Sequence, residues 1–203
     1  MSTDYSRALE LREAQARGSK PQPSSRRERL RYADSYSRMR ALLNLFQARD
    51  FWTLVGREWS GCDNIFAYAW RVDELIERKR HLFGLPITEA MCEEAQALYL
   101  KLPSQVTVWR GCYEHNINGL SWSLDRGVAA RFPSLNRYWQ PDMKPLLIEG
   151  HVSKQDIAFL LTDRKEAEVV LPLSTVEVVS RIELEVRSLH GPSSTSWAPE
   201  GLA

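Results

Sequence analysis

The chain has 203 residues, 43% of them apolar, seven tryptophans and a net charge of +1 at neutral pH; that is ample material for one packed core, and it predicts no bulk affinity for nucleic acid or acidic surfaces. Its three cysteines, Cys62, Cys92 and Cys112, are odd in number and widely spaced, which points to free thiols in a reducing compartment rather than a disulfide framework. No apolar stretch follows Met1 and none approaches the roughly 18 residues a membrane helix needs, so the expectation is a soluble, cytoplasmic protein with no membrane partner.

Residues 1–33 are polar and basic, with Lys20 to Arg31 at their centre. So few apolar residues do not offset the entropy of ordering, and the segment reads as a mobile arm with a short helix near its start. Its basic run could touch nucleic acid or an acidic partner; a solvated tail is the simpler reading. Residues 34–189 are expected to form a single domain, helical over 34–103 and β-rich over 104–189, followed by a turn-rich, flexible tail over 190–203. In the helical part, Met39, Leu42, Leu43 and Phe46 keep the spacing of one apolar stripe. Asp50 is placed to cap a second helix carrying Trp52, Val55 and Trp59, and Asp63 a third carrying Ile65, Ala69, Val72 and Ile76. Gly84-Leu85-Pro86 breaks the run, Thr88 opens a fourth helix with Met91, Ala95 and Leu98, and Pro103 closes it.

Beyond Pro103 the period changes to that of short strands: 106–110, 120–124, 146–152, 157–161, 167–171 and 175–186. One helix interrupts them, capped by Asp125 and burying Val128, Ala129 and Phe132. Helices first and strands later predict an α+β domain. Three places in the strands carry candidate chemistry. Arg110 sits in Thr107-Val108-Trp109-Arg110-Gly111, and Ser121 and Ser123 share one face of Leu120-Ser121-Trp122-Ser123. Glu166 and Glu168 share a face of the run Glu166-Ala167-Glu168-Val169-Val170-Leu171-Pro172, with Ala167, Val169 and Leu171 turned to the core. Taken alone, the glutamates could be an edge-strand pair that discourages aggregation, the serines a half-buried strand, and Arg110 a salt-bridged strand end.

In this order and spacing, over about residues 105–175, the three motifs resemble the mono-ADP-ribosyltransferases of the arginine–serine–glutamate class. Trp109-Arg110-Gly111 matches the aromatic-Arg-Gly strand, Ser121-Trp122-Ser123 the Ser-Thr-Ser strand with Trp122 in place of Thr, and Glu166-Ala167-Glu168 the Glu-x-Glu signature. The helical half resembles that of small phage and bacterial effector members, toxin-like proteins some of which disable host defences. The resemblance implies an ADP-ribosyltransferase-like two-sheet β core against the helical half, with NAD consumed as co-substrate in the cleft between.

It also implies roles. Glu168 would stabilise the oxocarbenium-like ribose cation, as carboxylates do in glycoside cleavage. Arg110 would fork onto the pyrophosphate or a ribose, Ser121 would donate to Glu168, and Glu166 would face the acceptor, a macromolecule and in the first place a protein. Gly111, Ser121, Trp122, Ser123, Phe132 and Tyr138 complete the implied NAD-binding set, with stacking on nicotinamide expected from Phe132, Tyr138 or Trp139. For Phe132 a packing role beneath its loop is the preferred reading. Leu161 to Lys165 would meet the acceptor. For Trp59 to Asn64 a simple turn is preferred to contact with the adenosine by Asp63 or Asn64. The four histidines are scattered, so no metal is expected. Two alternatives stay open: an NAD glycohydrolase, and a catalytically inactive binding or inhibitor module of the same fold.

Overall fold

The computed structural model describes residues 25–135, 138–162 and 167–185. Among them, helices come first and strands later, in an α+β arrangement. Helix α1 (Arg26–Arg31) is capped by Ser25, whose hydroxyl accepts from Glu28 N, and buries Leu30. The segment expected as an arm over 1–33 is therefore a packed helix from Ser25 onward; residues 1–24 lie outside the described residues. Helix α2 (Ser35–Leu43) is capped by Asp34 and turns Met39 and Leu42 inward. In α3 (Phe51–Glu58) Asp50 holds the expected N-cap position but gives no cap bond, because its carboxylate pairs with Arg27.

The third expected helix starts later than its pattern suggests. Asp63 does not cap it: the chain runs through a turn, and α4 spans Ala69–Phe83 with Tyr68 at the cap position. Similarly, Thr88 begins a short 3-10 turn, and α5 (Glu93–Lys101) follows it. The Asp125 cap is present, accepting from Val128 N at 2.9 Å to open α6 (Arg126–Arg131).

All six expected strands form: β1 (Gln105–Cys112), β2 (Ser121–Ser123), β3 (Leu146–Ser153), β4 (Phe159–Leu161), β5 (Glu168–Val170) and β6 (Glu177–Glu183). They make one antiparallel sheet in the order β4-β5-β2-β1-β3-β6, so the expected pair of sheets is corrected to a single hydrogen-bonded sheet. The sheet nevertheless nearly parts in the middle. β1 pairs with β3 over eight positions but meets β2 at one, Trp109 opposite Ser123. The short β4-β5-β2 section thus hinges on the longer β1-β3-β6 section along a seam one residue pair wide.

The core is continuous across the helices and this sheet. Strand β5 and the residue after it lie inside this core: Val169, Val170 and Leu171 are all fully buried, each worth roughly 1.5–3 kcal/mol relative to exposure. The edge-strand explanation of Glu168 consequently fails, since β5 is flanked by β4 and β2.

Candidate active site

The seam gathers most of the residues singled out above. Cross-strand partners share a face of a sheet, and Glu168 on β5 is directly opposite Ser123 on β2 and Leu161 on β4. Ser121 pairs with Val170, one step along. Two adjoining cavities open here, of about 50 and 340 Å³, the larger within the range of ordinary ligand sites. Arg110, Gly111, Ser121, Phe132 and Glu168 line both; Trp122 and Ser123 line the smaller, and Tyr138 and Trp139 the larger.

Where the β1–β2 ladder stops, Arg110 takes its place. Its Nη1 donates to the Ser121 carbonyl, while Nε and Nη2 donate to the Asn116 carbonyl at 3.2 and 3.1 Å. A guanidinium has five N–H donors, so these bonds leave two for a ligand. Burial pulls the Arg110 pKa down from its usual value, and the charges of Cys112, Glu168 and Tyr138 push the other way. Gly119 makes room for this group: a Cβ there would sit 2.1 Å from Arg110 Nη2.

Trp122, the departure from the usual motif, is absorbed on the core side. Its indole is 6% exposed and donates to the Gly119 carbonyl at 2.9 Å, tying down the turn over Arg110. Ser123 Oγ accepts from Asp125 N and helps shape the start of α6. Gly111 has a packing reason of its own, because a Cβ on it would lie 1.9 Å from the Ala129 carbonyl of α6. Trp109, also lining the smaller cavity, keeps a buried indole Nε1 with no partner among the described residues.

Glu168 is half-buried, and its Oε1 accepts a 2.8 Å hydrogen bond from Trp59 Nε1. The resemblance implies Ser121 as that donor. Ser121 is instead joined to Arg110 through its carbonyl, and the indole that reaches Glu168 comes from the helical half. The neighbouring Asp63 and Asn64 line the larger cavity together with Arg110 and Glu168.

The flap side of the cavity is pinned by a residue the sequence did not flag. Tyr113 is buried, donates its hydroxyl to the Pro133 carbonyl at 2.9 Å and accepts from Gln140 N at 3.1 Å. Phe132 stacks on Tyr138 with ring centroids 5.9 Å apart and is half-buried along the cavity rather than closed into the core. His115 stacks on Tyr113 and meets Phe66 edge-on across the same wall. Cys62 and Cys112 also border this cavity; burial pushes the Cys62 thiol up to about 12 and raises that of Cys112, so neither is a ready nucleophile.

Glu166, Asn136, Arg137 and the loop 163–165 lie outside the described residues. Among those described, no group of three His, Cys, Asp or Glu side chains is arranged for a metal, and no helix is long and apolar enough to cross a membrane. No protein-family model, no curated protein and no solved structure matches this chain.

Proposed function

We propose that the chain is a mono-ADP-ribosyltransferase of the arginine–serine–glutamate class, which transfers ADP-ribose from NAD to a macromolecular acceptor, in the first place a protein, and releases nicotinamide. One observation carries this reading: Arg110, Ser121 and Glu168, from three strands, line one cavity at the seam of the sheet. A half-buried carboxylate on an interior strand has no packing benefit, so its setting is better explained by chemistry than by stability.

In this scheme the C–N bond between nicotinamide and ribose breaks with its electron pair leaving on nicotinamide, and a nucleophile of the acceptor attacks the ribose carbon and gives up its proton to Glu166, the base that the resemblance implies. Glu168 supports the positive charge that develops on the ribose. Arg110 offers its two remaining donors to a phosphate or ribose oxygen while its other three hold the wall of the site. Phe132 and Tyr138 supply a stacking surface for a flat ring. Glu166 faces the acceptor; that role rests on the Glu-x-Glu resemblance. The ADP-ribosyltransferase fold itself belongs to the proposal, supported by the near-parting of the sheet at the seam. Three free thiols, Cys92 among them exposed, suit a cytoplasmic setting.

The test is incubation with NAD, with and without cell lysate, following nicotinamide release and labelling of macromolecules for wild type and Glu168→Ala. Release with labelling, both lost in the variant, supports the transferase. Release without labelling assigns an NAD glycohydrolase, and no release under either condition assigns a binding or inhibitor module.

A further inference from the structure

We infer that Trp59 is the positioning residue for Glu168, and that the helical half of the chain thereby forms part of the reaction centre. The inference rests on the functional reading above but concerns a residue that reading does not need. It starts from the sheet: Phe159 and Leu161 stand opposite Val170 and Glu168, so these four side chains share one face. Trp59 covers that face. Its ring meets Phe159 edge-on at 5.3 Å and 88°, and its Nε1 reaches Glu168 Oε1 at 2.8 Å. The side chain is fully buried, so the indole has no freedom to swing away.

An indole N–H is a donor only, and the bond it gives to a carboxylate is charge-assisted and directional. The bond fixes one oxygen of Glu168 and with it the side-chain rotamer. Glutamate has three rotatable bonds, and holding it within reach of a developing cation is worth most when those bonds are frozen beforehand.

The turn that carries Trp59 is itself over-determined. Arg38 of α2 pairs with Glu58 at 3.3 Å and donates to the Ala33 carbonyl at 2.9 Å. A Cβ on Gly61 would lie 2.8 Å from Arg38 Nη1, so glycine lets the guanidinium press against the turn. Asp63 N donates to the Ser35 carbonyl at 3.0 Å, and Cys62 N to the Trp59 carbonyl at 2.9 Å. Helix α2 therefore holds the turn, the turn holds Trp59, and Trp59 holds Glu168.

The decisive comparison is Trp59→Phe, which keeps a ring against Phe159 and removes the N–H, alongside Phe159→Leu, which loosens the same packing and leaves the N–H. In Trp59→Phe, kcat for nicotinamide release is expected to fall on the order of tenfold to a hundredfold, the loss of one charge-assisted hydrogen bond, with KM for NAD changed less than about threefold. Phe159→Leu should lower thermal stability at least as much and kcat far less. Equal kcat losses in the two variants, or an unchanged kcat in Trp59→Phe, would overturn the positioning role while leaving the transferase reading intact. Absence of release from wild type removes the reaction, and the role with it. The contact is read independently by the Trp59 indole N–H resonance, identified among seven tryptophans by its loss in Trp59→Phe. Glu168→Ala, which removes the acceptor, should shift that resonance strongly; no shift would refute the bond itself.

Discussion

Replacing Gly111 by alanine separates two accounts of the same residue. The family resemblance makes Gly111 part of the NAD-binding strand, whereas the structure makes it the point where β1 and α6 touch. A Cβ on Gly111 would stand 1.9 Å from the Ala129 carbonyl oxygen, 2.7 Å from Pro133 Cδ and 3.0 Å from the Ala129 carbonyl carbon. Ordinary contacts need well over 3 Å, so α6 must retreat by roughly 1 Å or more, and backbone rather than a flexible side chain has to move. Overpacking of this kind costs about 1–3 kcal/mol, occasionally more. For a chain of this length each 1 kcal/mol lowers Tm by about 2–4 °C, giving an expected loss of about 2–12 °C. Because α6 leads into Phe132 and Pro133, the displacement also moves a wall of both cavities, and NAD turnover should drop beyond what the unfolded fraction explains. Thermal unfolding and nicotinamide release on the same preparation measure both. A Gly111→Ala variant within 1 °C of wild type would refute the close-packing argument, and lost turnover at unchanged Tm would return Gly111 to a purely ligand-facing role.

Other predictions follow from the same geometry. Under native conditions at pH 8 a thiol reagent should label Cys92 alone and all three cysteines only after unfolding; rapid native labelling of Cys62 would contradict its burial. Since the Cys62 thiol is raised from 9.0 to about 12, the unfolded chain loses that proton first as pH rises, so stability is fully present below about pH 9 and declines between about 9 and 12. Denaturant unfolding across that range reads the slope, and Cys62→Ser should flatten it. Arg110→Lys keeps the charge but not the fork on the Asn116 and Ser121 carbonyls, and should cost about 1–3 kcal/mol of stability as well as activity. A variant with wild-type Tm would show that the fork does not hold the seam.

Those parts of the molecule set by local periodicity were legible beforehand. All six strands and the Asp125 cap follow from side-chain alternation and from a carboxylate placed three residues before an apolar stripe. Arg110, Ser121 and Glu168 could be grouped because their order along the chain resembles that of the arginine–serine–glutamate class. The misreadings share a cause. Asp63 carries a good capping side chain, but the backbone of its turn is held by Ser35, a contact 28 residues away that no local pattern records. Asp50 was outbid by Arg27, 23 residues distant. Trp59 looked like one more apolar residue on a helical stripe, and the bond that gives it a role spans 109 positions. Likewise one sheet rather than two depends on a single register pair, Trp109 with Ser123, which side-chain alternation does not specify.

The central claim is that Glu168 carries the chemistry at the seam, and Glu168→Gln addresses it with the least disturbance. The glutamine keeps the shape and can still accept from Trp59 Nε1, so Tm should change by no more than a few degrees. What it loses is the negative charge beside the ribose. Nicotinamide release from NAD, measured for wild type and Glu168→Gln at matched folded fraction, should fall by at least a hundredfold in kcat with KM for NAD little changed. Release at the wild-type rate from a folded Glu168→Gln protein would contradict the account.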